Sequence, residues 1–231
     1  MVFLHPITPT WLCWLFLICS HQAWAATPLQ PLIDAVPSSS VLQLGAGDYS
    51  GPAIIRKALL LDGAGKARLL GGGRGTVLSV MANGVTVRGL VISGSGDTHD
   101  GIDAGLLVAG DDNKIKGNTM VDVLFGIHIK TGNRNHIAGN HIVGKDLPMA
   151  LRGDAVRLWN SRHNRIENNQ FEHSRDLTLA NSPDNHILNN RFNDGRYGMH
   201  VVFSPRLVVQ GNRIENTQTG IVVLYSPGLV V

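Results

Sequence analysis

Few residues in this 231-residue chain are of the types that do chemistry outside a regular pattern. Asp97-Thr98-His99-Asp100 sets an imidazole between carboxylates, the residue types needed for proton abstraction. Asp111-Asp112 has the look of a paired-carboxylate hydrolase site, but within Gly-Asp-Asp-Asn it reads better as a turn. Met149, in Asp-Leu-Pro-Met-Ala-Leu-Arg from Asp146 to Arg152, offers a thioether. Cys13 and Cys19, the chain's two cysteines, lie in an apolar run, Trp11 to Ser20, that reads as the core of a signal peptide.

That run ends before Ala23-Trp24-Ala25, a small-x-small cleavage pattern, although no Lys or Arg stands in Met1 to Thr10. Residues 1–25 are therefore expected to be a cleaved signal. The exported chain would begin at Ala26 in the periplasm with no thiol and no disulfide. The formal charge of +3 is too small and too scattered for nucleic-acid binding.

What must position His99 and Met149 is a repeat. Asn135 to Ile142 (NHIAGNHI) returns at Asn164 to Phe171 (NRIENNQF) and at Asn185 to Phe192 (NHILNNRF), with variants at Asn113 to Met120 and Leu207 to Ile214. The apolar residues Val87, Ile115, Ile137, Ile166, Ile187 and Val209 follow one another at steps of 28, 22, 29, 21 and 22. A unit near 22 residues with apolar alternation of period two predicts a solenoid of short strands. Leucine-rich repeats lack this pattern, so the fold expected is an all-β, right-handed, single-stranded parallel β-helix over residues 41–231.

Asn118, Asn140, Asn169, Asn190 and Asn212 should then stack as a ladder in one turn, with Leu90 interrupting it. Ile92, Met120, Ile142, Phe171, Phe192 and Ile214 should form one core stack. Ile127, Val156, Leu177, Met199 and Ile221 should form another. His128, Arg157, Thr178, His200 and Val222 should face outward as one row and Lys114, His136, Arg165, His186 and Val208 as another, with His136, His141, His186 and His200 on solvated rungs. Residues 26–40 are expected to cap the N-terminal end, with a short helix over Pro28 to Val36. Val231 falls on a core position of a new coil, which predicts a truncated C-terminal end or one covered by a partner.

The Gly-rich run from Gly45 to Gly96, the segment Asn140 to Ser161 and the coil Gly198 to Pro205 resemble the NosD family. That family comprises periplasmic β-helix proteins required for maturation of nitrous-oxide reductase. More broadly, the repeats resemble the carbohydrate-binding and sugar-hydrolase β-helix class. The family resemblance implies a non-enzymatic role beside an ABC-type ATPase and membrane subunit, with a copper chaperone, in delivering copper to the reductase. Against this stands the alternative of a carbohydrate-binding module or an enzyme, because Asp97 to Asp100 is similar to the Asp-Pro-His-Asp of mannuronan epimerases, which act on uronates.

Copper requires soft ligands, and without cysteine the exported chain has only His nitrogen and Met sulfur to offer. The 28- and 29-residue steps each carry six or seven extra residues, one insertion holding Asp97 and His99, the other Asp146, Leu147, Met149 and Arg152. Lying at one corner two coils apart, their bases should be about 10 Å apart. His99 and Met149 are the candidate transient copper ligands. Asp97, Asp146, Leu147 and Arg152 are the candidate docking residues for the membrane complex, the chaperone or the reductase, and docking is the preferred role of this corner.

Overall fold

The computed structural model describes residues 25–231, so all but the last residue of the expected signal peptide, with both cysteines, lies outside the described residues. The chain winds as a parallel β-helix in which three sheets run along the axis. The first contains Lys114–Lys116, His136–Ala138, Arg165–Glu167, His186–Leu188 and Val208–Gln210. The second contains Thr119–Val123, His141–Gly144 and Gln170–Glu172. The third contains Phe125–Lys130, Val156–Trp159 and Leu177–Ala180. The long strands Arg191–Val202 and Arg213–Leu224 pass from the second sheet into the third.

The register is that of the repeat. Met120 pairs with Ile142, Ile142 with Phe171, Phe171 with Phe192, and Phe192 with Ile214. Ile127, Val156 and Leu177 stack likewise, ahead of Met199 and Ile221. Period-two alternation sends these side chains inward, where all but Ile214 and Ile221 are fully buried in one continuous core.

The turns explain the repeated sentence in the sequence. The residue before each ladder asparagine is Gly117, Gly139, Asn168, Asn189 or Gly211, each with φ between 52° and 67°. Glycine and asparagine are the residues that enter this left-handed region most readily, which fixes the dipeptides Gly-Asn and Asn-Asn at the corner. Gly89, at φ 63°, makes the same turn one coil earlier, and there Leu90 has no amide to offer.

At the N-terminal end a helix, Leu29–Ala35, lays Leu29 and Ile33 over the open core. Gln30 completes the exposed strand edge with its own amide. Its Oε1 accepts from the Ile54 N–H at 2.7 Å and its Nε2 donates to the Ile54 carbonyl at 3.2 Å. An unpaired edge is thereby closed by one side chain.

A candidate docking corner and an arginine cleft

Side-chain ladders hold two of the turns in this solenoid rigid. In the predicted one, the Asn118, Asn140, Asn169 and Asn190 side-chain nitrogens each donate to the next asparagine's Oδ1, at 2.9–3.0 Å, ending at Asn212. The same oxygens accept the backbone N–H of the preceding rung, and Asn118 Oδ1 accepts that of Leu90. A second ladder, Asn113, Asn135, Asn164 and Asn185, runs along the other end of the first sheet. Its signal was the first asparagine of each repeat. A serine ladder, Ser161, Ser182, Ser204 and Ser226, holds the turn after the third sheet. Its serines recur at steps of 21 and 22 but are too common a residue to stand out.

The remaining corner, between the second and third sheets, carries both insertions. They leave the coil after the strand that follows the asparagine turn, and they meet. His99 Nε2 lies 3.0 Å from the Leu151 carbonyl, bridging the intervening coil, and the imidazole packs edge-on against Phe125 with ring centres 5.6 Å apart. Lys145 Nζ, at the base of the second insertion, pairs with Asp97 Oδ1 at 2.9 Å. Leu147 packs against the buried trio Ala104, Leu124 and Phe125. Arg152 donates to the Leu147 carbonyl at 2.8 Å and pairs with Asp194 at 3.1 Å. Leu147 and Arg152 thus anchor the insertion, while Asp146, Ala150 and Leu151 form its exposed crest, Leu151 being 54% exposed.

The two expected copper ligands have different surroundings. His99 commits Nε2 to a carbonyl, and Met149 lines a different space, a cleft of about 390 Å³ walled by Ala150, Arg175, Arg196 and Gln218. Two guanidinium groups beside the thioether repel a cation. Among the described residues no three His, Cys, Asp or Glu side chains converge as a metal site. Among the described residues His99 has no carboxylate partner, its hydrogen bond going to the Leu151 carbonyl, while Asp103 accepts from the Thr98 N–H at 3.0 Å. Asp111 and Asp112 both pair with Arg134 in a turn, at 3.0 and 2.9 Å.

Beneath the cleft lies an arrangement that the repeat pattern did not suggest. Asp154 and Asp176 are fully buried and alternate with arginines along the axis. Arg157 reaches Asp154 at 3.3 Å, Arg175 reaches Asp154 at 3.2 Å and Asp176 at 3.6 Å, and Arg196 clasps Asp176 in a close two-pronged contact. Burial pushes the Asp154 carboxyl up; Arg175 opposes this, and the nearby Asp176 adds to it. The charge-assisted bonds to Asp176 hold the Arg196 guanidinium above its usual range. The sequence signal was an arginine or aspartate standing just before the third-sheet strand in successive coils.

The outward row of the third sheet is only partly solvated. His128 pairs in register with Arg157, Arg157 with Thr178, and Thr178 with His200, as the repeat requires. Yet His128 is 5% exposed and its Nε2 finds no partner. An outward direction at this rung does not bring solvent: flanked by Leu107 and Arg157 on neighbouring coils, the imidazole is desolvated although it points away from the core.

Residues 76–231 match the family described as "Right handed beta helix region". A Pseudomonas aeruginosa protein named "Probable ABC transporter binding protein NosD" is 30% identical over 136 residues, which is 58% of this chain and 32% of that protein. The chain therefore spans about a third of the length of the curated relative it matches.

Proposed function

Because the chain belongs to the right-handed β-helix family, whose rigid coils present whatever departs from the repeat, we propose that it serves as a docking scaffold in a periplasmic, transporter-associated system. The similarity to a NosD protein named for ABC transporter binding supports that class of partner. In this reading the scaffold works beside the ATPase and membrane subunits and a copper chaperone in maturing the copper sites of nitrous-oxide reductase. Copper passes as cargo between partners and has no resident site on this chain. Catalysis is not part of the role.

The observation that carries the reading is the union of the two insertions. A loop inserted for length alone has no need to be tied, by the His99 contact to Leu151 and the Lys145–Asp97 pair, to another loop two coils away. Tying them makes a stiff crest, which lowers the ordering cost of binding a partner. Deleting Asp146 to Arg152 should leave the circular dichroism spectrum of the solenoid intact and abolish co-purification with the membrane complex. Leu151→Glu, which leaves the Leu147 and Arg152 anchors in place, should weaken capture at least tenfold. Wild-type capture by a folded Leu151→Glu variant would exclude this corner as the dock.

A further inference from the structure

We propose that the cleft beside Met149 is a receptor for carboxylates presented by an acidic segment of a partner protein. This rests on the docking reading above and names the partner's chemistry at that corner. The argument begins with charge. Two buried aspartates need two cations, but the axial chain Arg157, Asp154, Arg175, Asp176, Arg196 supplies three, and the surplus faces outward. The acids are fully buried, whereas Arg175 is about a quarter and Arg196 about a third exposed. The carboxylates form a floor and the guanidinium groups its accessible surface.

The arginines are also pre-ordered. Arg196 is held by Asp176 from behind and lies 4.2 Å from the centre of the Tyr197 ring. Arg175 is held from beneath by Asp154 through one terminal nitrogen and by Asp176 through its buried Nε, and the rest of its guanidinium is the part left exposed. A guanidinium fixed in place with spare donors binds a carboxylate without first losing side-chain entropy. Gln218 at the rim adds a neutral amide, and Met149 and Ala150 supply an apolar wall. Arginine and methionine beside an exposed leucine are residues enriched at the centre of protein interfaces. That mixture favours a peptide carrying Asp or Glu over a free phosphate, for which the apolar wall offers nothing.

The arginines themselves are poor test positions, since removing either strands a buried carboxylate and threatens the fold. Gln218 is exposed at the rim, so Gln218→Glu adds repulsion without disturbing the floor. The probes are a hexaglutamate peptide, oligogalacturonate and inorganic phosphate, titrated calorimetrically into the exported chain at low and at physiological salt. Hexaglutamate should bind with strong salt dependence. Gln218→Glu and Met149→Glu should each weaken it at least tenfold, and Gln218→Lys should tighten it. No hexaglutamate binding, or binding indifferent to all three substitutions, overturns the proposal. So does tighter binding of oligogalacturonate, which would make the cleft a sugar subsite, or of phosphate alone. If Leu151→Glu abolishes membrane-complex capture while Gln218→Glu alters neither capture nor peptide binding, the docking role stands and the acidic-segment receptor falls.

Discussion

Asn169→Leu should destabilise the protein by roughly 3–5 kcal/mol, because one asparagine serves both neighbouring coils and leucine strands groups on each side. Asn169 Oδ1 accepts from the Asn140 backbone N–H at 2.9 Å and from Asn140 Nδ2 at 3.0 Å. Its Nδ2 donates to Asn190 Oδ1 and to the carbonyls of Ile137 and Glu167, at 2.9–3.0 Å. All three asparagines are buried, so water cannot replace what is lost. Asn181 is the control: it is exposed and lies in the turn after the third sheet, outside both asparagine ladders. Its φ of 48° costs a leucine about 1 kcal/mol. Phe203 and Tyr225 hold the same conformation on the next two coils, so side chains of that bulk are tolerated there. Denaturant titration of both variants decides the matter, and equal losses would mean that the ladder contributes no more than an ordinary surface turn.

The repeat was legible because a coil cannot vary it. Inward positions must be apolar every second residue, and the turn must combine a left-handed residue with a side chain able to bond along the axis, so Gly-Asn and Asn-Asn recur at coil spacing. The position of both insertions was legible for the same reason, as departures from a fixed step. Their contact was not. Nothing in the spacing of His99 and Leu151 says that an imidazole will reach a carbonyl 52 residues away. The surroundings of His99 and Met149 were not legible either, because residue type carries no direction. The two insertions touch, and Met149 lines a cleft with Arg175 and Arg196. The buried Asp154–Arg175–Asp176 chain was hidden for another reason: charged residues before a strand read as a solvated turn, and only stacking shows that successive coils bury the acids between arginines.

Acidification from pH 7.5 to pH 5 should remove about 2 kcal/mol of stability through His128 alone. Burial pulls this imidazole down from 6.5 to about 4, and the neighbouring positive charges of Arg157 and Lys130 pull in the same direction. The folded protein therefore keeps His128 neutral in a range where the unfolded chain takes up a proton. Stability is complete above the unfolded value of 6.5 and declines as the pH falls toward 4, by about 3 kcal/mol in all. His128→Gln keeps a polar side chain of similar reach and cannot titrate, so the difference in slope between the two proteins isolates this one group. Every other titratable group is common to the two proteins and cancels in the difference. Parallel stability profiles between pH 7.5 and pH 5 would show that His128 is hydrated in solution. A steeper wild-type profile would show that the outward row is dry at His128, where its register partner Arg157 turns to the buried Asp154.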